Sequence, residues 1–268
     1  MAIVTDIRDY ADDRGNAIIG TPKLCQNAKI NFAARNCRVE IGDGVCLQNC
    51  SFEMSADGGL VRIGKNSVIK SHMRVGLNSS IIVGERLSST GGGIFSATEG
   101  TSVTIGNDCM FAISIDIRSD HSHPIFDRRT GKRVNKSKPV VIGDHVWLGP
   151  QAMVYPGAKV GEGSVIGARA LVNGTIPPNS VAVGVPAKVT RRDIVWDKRH
   201  LAIHAPHMFD DISTIPNPWQ SQFPPFEAEE RRSAGVIKSW LNKVTATTAC
   251  LTAQVAIWPD MAGVAVAF

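Results

Sequence analysis

A six-residue repeat runs without interruption from residue 142 to residue 177. Divided every six residues, this stretch reads IGDHVW, LGPQAM, VYPGAK, VGEGSV, IGARAL and VNGTIP. The first position is always aliphatic, and the fifth is small or β-branched. A helix has a period of about 3.6 residues and a lone amphipathic strand a period of about 2, so neither produces this pattern. The repeat predicts a parallel β-helix, in which short strands and tight turns stack the aliphatic side chains into a core and glycine eases the turns.

Weaker copies of the repeat occur upstream, so the predicted solenoid extends over about residues 20–190. Aliphatic–glycine pairs recur along this stretch, beginning at Ile41, Ile63, Val83 and Ile105. The pattern breaks at three places, which we predict to be insertions: residues 53–61, 85–102 and 118–139. Repeats in a solenoid contact only their neighbours, so an insertion can loop out without breaking the core. Long loops on such a rigid scaffold are where function is expected.

The chain of 268 residues is predicted to divide into three parts. These are an N-terminal segment (1–19), the β-helix domain (20–190, with the loop insertion at 118–139) and a C-terminal tail (191–268). In the tail, apolar residues of 226–244 recur at helical spacing, which predicts a short helix. No apolar run reaches the roughly 20 residues of a membrane helix, so no membrane association is expected. We expect the tail to pack on the solenoid end, with attachment to a membrane surface as the alternative.

The net charge of +5 is modest and excludes few classes of protein. The basic residues form no long run with interleaved aromatic residues, so no nucleic acid partner is expected. Two interpretations of the charge remain, a solvated surface or a local site for an anionic small molecule at Lys188, Arg191 and Arg192. The six cysteines lack the spacing of a disulfide framework or a metal site, which indicates buried thiols in a reducing, cytoplasmic location.

The insertion at 118–139 carries the residues best suited to chemistry, His121 and His123. A histidine with an ordinary pKa of about 6.5 can accept a proton near neutral pH. A base on a rigid loop beside a cleft is the arrangement that acyl transfer to a hydroxyl or an amine requires. No Ser or Cys lies in a nucleophile motif, so direct transfer is expected rather than an acyl-enzyme. Taken alone, the residues also allow that these histidines merely line a loop.

Three motifs in this region resemble those of the hexapeptide-repeat O-acetyltransferases, which act on sugars and polysaccharides. The motifs are the loop SDHSHPIFD…TGKRVN, the coil GDHVWLG and the closing VGVPAKV. The resemblance is strong over about residues 105–192, weaker back to residue 20, and absent in the tail. It implies a left-handed β-helix, an exception to the usual right-handed crossover. It further implies a homotrimer that binds acetyl-CoA between adjacent subunits and transfers the acetyl group to a sugar or glycan acceptor.

The resemblance also implies roles for individual residues. His123, which precedes a proline, matches the catalytic base, with His121 as the alternative, and Trp147 matches an aromatic residue that shapes the cleft. Five residues match positions that contact coenzyme A: Gly149, Ala168, Asn173, Lys188 and Arg191. Among them, Gly149 matches the backbone N–H that faces the thioester oxygen, and the two basic residues match contacts to the phosphates. For Trp147, packing between subunits is the alternative role.

The sequence departs from the small-sugar branch of this family at two places. Residues 89–95 (STGGGIF) lack the polar asparagine that helps to place the acceptor there, and Pro150 replaces a small polar residue. The loop is closer to the polysaccharide and surface-glycan branch. We therefore predict an acetyl-CoA-dependent O-acetyltransferase that acts on a hydroxyl of a sugar or surface glycan, with no metal.

Two other classes of protein remain open at this point. One is a zinc enzyme like the γ-class carbonic anhydrases, with His121, His123 and His145 as ligands. That class uses a spaced pair of histidines on successive coils, and here only His145 lies in a regular repeat. The other is a non-catalytic scaffold that keeps the coil and binds partners through the tail, against which the intact histidine–proline motif argues.

Overall fold

The computed structural model describes residues 2–203, which fold as a left-handed parallel β-helix. These residues form 22 strands, and no helix occurs among them. Consequently, no helix within 2–203 is long and apolar enough to cross a membrane. The short helix expected at 226–244 lies outside the described residues.

The strands follow one another around the solenoid, and one full turn is called a coil below. The N-terminal strands are β1 (Ala2–Val4), β2 (Tyr10–Ala11) and β3 (Ala17–Ile19). The strands of the next coils are β4 (Leu24–Phe32), β5 (Arg38–Ile41), β6 (Cys46–Met54), β7 (Leu60–Ile63), β8 (Val68–Ile69), β9 (His72–Val75), β10 (Ser80–Val83), β11 (Ser88–Ala97), β12 (Ser102–Ile105) and β13 (Met110–Arg118). The last coils contain β14 (Val140–Ile142), β15 (Trp147–Leu148), β16 (Met153–Val154), β17 (Lys159–Val160), β18 (Val165–Ile166), β19 (Leu171–Val172), β20 (Thr175–Ile176), β21 (Val181–Val183) and β22 (Lys188–Arg191).

Parallel pairing between successive coils builds one sheet of 13 strands and another of nine. Only three pairs of named strands are antiparallel, and all three lie at the ends: β1 with β4, β2 with β3, and β21 with β22. Parallel stacking already begins at β3, which pairs with β5. The antiparallel strands occupy hydrogen-bonding edges that a bare solenoid would expose at each end.

The solenoid changes girth at the loop. In the wide coils, residues 17–118, partners on adjacent coils are as much as 22 residues apart, as at Asn27 and Asn49. In the narrow coils, residues 140–183, Gln151 and Arg169 lie on adjacent coils and are 18 residues apart. Between the two regions, β13 ends at Arg118 and β14 begins at Val140, so the loop leaves the coil here.

The prediction of an insertion is wrong at two of the three places. Residues 85–102 contain the unbroken strand β11, which pairs with β13. Residues 53–61 contain the end of β6, a turn and the start of β7. The additional residues lengthen the strands and turns of the wide coils and do not loop out, which is why the six-residue pattern fades there without any break in the stacking.

The core of the narrow coils follows the repeat as predicted. The aliphatic first positions are all buried: Ile142, Leu148, Val154, Val160, Ile166 and Val172. The small fifth positions are buried as well, among them Ala152, Ala158 and Ala170. The wide coils fill their larger interior with aromatic rings, Phe32, Phe52, Phe95 and Phe111, each at most 1% exposed.

Glycine at the second repeat position was expected to ease the turns, but the structure gives a different reason for it. Gly143, Gly149 and Gly161 do not have positive φ. A Cβ on Gly161 would instead lie 2.3 Å from the Pro178 nitrogen of the next coil. The backbone angle φ is positive at the fourth repeat position instead, where non-glycine residues such as His145 (51°) occur as well as glycine. At these three glycines the close approach of the next coil therefore leaves no room for a side chain, and the tight turn is made two residues later.

Candidate active site

The loop between β13 and β14 is attached to the coil at its base. The Ser119 N–H donates to the Ser96 carbonyl at 3.0 Å, and the Lys138 N–H donates to the Ser119 carbonyl at 2.9 Å. Asp120 is 3% exposed and accepts a hydrogen bond from Ser96 Oγ at 2.8 Å. Its second oxygen, Oδ1, accepts from the Ser122 N–H at 2.7 Å. Asp120 thus fixes the start of the loop, a role that sequence reasoning missed although the residue lies in the SDHSHP motif.

A tight turn carries the two predicted bases. The His123 N–H donates to the His121 carbonyl at 2.7 Å, and Ser122 between them has a φ of 63°. An i to i+2 bond around a positive φ is the uncommon form of γ-turn and is strained. Both His121 and His123 are exposed. The turn therefore holds two accessible imidazoles on a backbone that the coil constrains.

Tyr155 contacts His121, and Arg118 and Asp116 lie beside Tyr155 on the coil. The His121 ring meets the Tyr155 ring edge-on, with centroids 6.3 Å apart. Arg118 Nε donates to Asp116 Oδ1 at 2.6 Å. Burial and the adjacent Asp116 carboxylate raise the pKa of Tyr155 above its usual value of about 10, so the phenol stays neutral at physiological pH. Sequence reasoning did not find Tyr155, although the residue stands at the second repeat position, where four of the six repeats have glycine.

Trp147 lies on β15, half-buried, and contacts a second tryptophan. The ring of Trp196 is 5.8 Å from that of Trp147, and it stacks on His145 at 4.1 Å. Trp196 Nε1 donates to the His145 carbonyl at 2.9 Å. Trp196 belongs to the predicted tail, so part of the tail packs against the coil beside Trp147.

His145 is a structural residue in this arrangement. Its Nδ1 is 2.8 Å from Asp108 Oδ2, and its Nε2 is 3.0 Å from the Trp196 carbonyl. Lys198 completes the cluster with a 2.8 Å ion pair to Asp108 Oδ1. Within residues 2–203, no three His, Cys, Asp or Glu side chains come close enough together to hold a metal ion, so His121, His123 and His145 do not form a ligand group there.

Of the residues matched to coenzyme A contacts, Gly149, Ala168 and Asn173 lie on the narrow coils. Gly149 is buried, and its N–H donates to the Ile166 carbonyl at 2.7 Å. A Cβ on Gly149 would lie 2.8 Å from the nitrogen of Ala168, which is exposed on the next coil. The Gly149 N–H is therefore already used between coils, and a role toward a thioester oxygen stays a prediction.

The other matched residues are exposed further along the solenoid. Asn173 follows β19 one coil beyond Tyr155, whose N–H donates to the Val172 carbonyl at 2.9 Å. Lys188 and Arg191 are exposed on β22, the strand that closes the last coil. The structure thus places Asn173 near the corner that carries the loop histidines, and places the two basic residues at the C-terminal end of the coils.

Comparison with known proteins agrees with this architecture. The model of the family described as bacterial transferase hexapeptide (six repeats) matches residues 139–174. The solved structure of the polySia-specific acetyltransferase NeuO superposes with a TM-score of 0.65 and is 33% identical, covering 75% of this chain and 91% of that one. The chain belongs to the hexapeptide-repeat acetyltransferase family.

Two curated members of the family show how far the sequence similarity reaches. The polysialic acid O-acetyltransferase of Escherichia coli O1:K1 / APEC is 34% identical over 156 residues, which are 54% of this chain and 50% of that protein. The galactoside O-acetyltransferase of Escherichia coli (strain K12) is 31% identical over 140 residues, which are 52% of this chain and 66% of that protein. This hexapeptide-repeat protein therefore spans about half to two thirds of the length of these curated relatives.

Proposed function

We propose that this protein is an acetyl-CoA-dependent O-acetyltransferase that acetylates a hydroxyl group of a sugar or surface glycan. The observation that carries the proposal is the loop at 118–139, which holds two exposed histidines on a coil-anchored turn within a hexapeptide-repeat solenoid. The names of the relatives support it, since they are acetyltransferases of polysialic acid and galactosides.

His123 is the proposed general base. Its imidazole accepts the proton of the acceptor hydroxyl while the oxygen attacks the thioester carbonyl of acetyl-CoA. The tetrahedral oxyanion then collapses, the carbon–sulfur bond breaks, and the coenzyme A thiolate takes the proton from the imidazolium. Tyr155, a neutral phenol beside His121, is a hydrogen-bond donor on the same side of the coil.

The donor is proposed to lie along the narrow coils. Ala168 and Asn173 are exposed there for contact with the pantetheine arm, and Lys188 and Arg191 are exposed at the end for the phosphates. Neutralising both basic residues should raise the KM for acetyl-CoA far more than the KM for the acceptor, because they act far from the reacting atoms.

A homotrimer with sites between subunits completes the proposal, because one face of a narrow solenoid cannot enclose a ligand as long as coenzyme A. Sedimentation of a fully active monomer would contradict it. A cytoplasmic location is proposed as well, since the buried thiols of Cys37, Cys50 and Cys109 suit a reducing compartment.

Substitution of the loop histidines tests the function directly. With acetyl-CoA and a panel of glycan hydroxyl acceptors, His123→Ala should lower kcat by about 10²–10⁴-fold and leave acetyl-CoA binding almost unchanged. His121→Ala should have a much smaller effect, and the exposed His200→Ala is the matched control. If the effects of the two loop variants are reversed, the base is His121. If neither variant loses activity, the loop is not catalytic and the proposal fails.

A further inference from the structure

A chain of polar contacts links the coil residue Glu99 to the backbone of His123. It passes through Arg133 and Asn135, which lie in the TGKRVN stretch of the loop. This stretch belongs to the motifs that resemble the family, and none of the roles described above accounts for it.

Asn135 holds the backbone on both sides of Pro124. Its Nδ2 donates to the His123 carbonyl at 2.8 Å, and its Oδ1 accepts from the Ile125 N–H at 2.6 Å. Pro124 has no N–H of its own, so the Ile125 N–H is the first backbone donor after His123. An asparagine side chain carries both the donor and the acceptor that this geometry requires.

Arg133 connects Asn135 to the coil. Its Nη2 donates to the Asn135 carbonyl at 3.2 Å and to Glu99 Oε2 at 3.0 Å, and its Nη1 contacts Glu99 Oε1. Such a two-point pair between a guanidinium and a carboxylate fixes orientation as well as distance. Arg133 is therefore held by Glu99 on one side and holds Asn135 on the other.

Glu99 also binds the end of the loop. Its Oε2 accepts from the Ser137 N–H at 3.2 Å and from Ser137 Oγ at 2.5 Å. The hydrogen bonds from Arg133 and Ser137 lower the pKa of Glu99 to about 2, so its carboxylate is charged throughout the range in which an enzyme works. Glu99 itself lies in the turn between β11 and β12 of the wide coils.

We propose that Asn135, supported by Arg133 and Glu99, is a positioning residue that fixes the His123 backbone to the coil for acetyl transfer. Asp120 secures the preceding side of the same turn, so the strained 121–123 segment is held at both ends. None of the three residues acts on the reacting atoms, and each works through His123. The inference rests on the proposed function, in which His123 is the base.

Two substitutions of Asn135 test this role. Asn135→Asp keeps the size and the acceptor for Ile125 but places a carboxylate oxygen against the His123 carbonyl, and Asn135→Ala removes both bonds. Each should lower kcat by about 10²-fold, the cost of misplacing a catalytic group by about 1 Å, with the KM for acetyl-CoA unchanged. The matched control is Asp127→Asn at the tip of the same loop, where Asp127 caps the turn through the Thr130 N–H. It should keep the kcat of the unaltered protein.

Hydrogen exchange at the Ile125 amide gives a readout that does not depend on activity. This amide should exchange faster in Asn135→Ala and at the original rate in Asp127→Asn. If Asn135→Asp retains full kcat while His123→Ala does not, the positioning role fails and the proposed function stands. If Asp127→Asn loses as much kcat as Asn135→Ala, the loss reflects the order of the whole loop, and the specific positioning role of Asn135 fails. If the unaltered protein transfers no acetyl group to any acceptor, both proposals fail.

Discussion

The wide coils and the narrow coils solve the same packing problem with different side chains. In the wide coils, a longer circuit leaves an interior that Phe32, Phe52, Phe95 and Phe111 fill. In the narrow coils, the aliphatic residues of the repeat meet across a shorter circuit, and alanine at the fifth position suffices. Protein interiors reach the same packing density with different sets of side chains, so girth and side-chain volume must change together.

The difference in girth coincides with the place where the loop leaves the coil. The loop starts from the last wide coil at Arg118, and it is hydrogen-bonded to the wide-coil residues Ser96 and Glu99, whereas the His121 ring contacts Tyr155 of the narrow coils. Three of the residues matched to coenzyme A, Gly149, Ala168 and Asn173, lie on the narrow coils instead, and Lys188 and Arg191 lie beyond them on β22. The wide region thus serves as the support for the loop, and the narrow region is the proposed place for the donor.

The largest expected effect concerns the aromatic filling of the wide coils. Phe52→Ala should lower the free energy of unfolding by about 3–5 kcal/mol, because the buried ring leaves a cavity that the stacked coils cannot close. Val154→Ala in the narrow coils removes less volume and should cost about 2 kcal/mol. Urea unfolding measures both, and equal losses would contradict the difference between the two cores.

A second test concerns the spacing between coils, which should be equally tight in both regions. A Cβ would lie 2.3 Å from the Pro178 nitrogen in Gly161→Ala and 2.6 Å from the Gly106 carbonyl carbon in Gly84→Ala. Each change should cost about 1–3 kcal/mol through overpacking. Gly174→Ala, with no heavy atom within 4 Å of its Cβ, should be nearly neutral. A tolerated alanine at Gly161 would show that the glycine is not required by close approach.

The smallest effect is the dependence on pH of the ion pair that joins the loop to the wide coils. The pKa of Glu99 is lowered to about 2 by Arg133 and Ser137, so its contribution to stability is complete above the unfolded value of about 4.3. That contribution is lost as the pH falls from there through about 2. The difference in melting temperature between the unaltered protein and Glu99→Gln should therefore be constant from pH 8 to about 5 and shrink in acid. A difference that is independent of pH down to about 2 would show that the carboxylate charge is not involved.

The sequence predicted the fold best where the circuit is shortest. In the narrow coils each repeat is one strand and one turn, so the position of a residue in the repeat predicts its position in the structure. The buried series from Ile142 to Val172 shows this agreement. In the wide coils the longer strands turn corners without a fixed spacing, which is why β11 was mistaken for part of an insertion. The histidines of the loop were found through the histidine–proline motif, although the role of His123 stays a prediction.

The amino-acid sequence by itself determined local features: a stacked core, the place where a loop leaves it, and residue types able to accept and donate a proton. Only the tertiary structure decided which distant residues support that loop. Glu99 and Asn135 are far apart along the chain, and Trp196 reaches back to Trp147 and His145. The physical reason is that hydrogen bonds and ring contacts depend on the distance between residues in space. A repeat specifies those distances for residues within the stacked coils, but it does not specify them for segments that leave the stack.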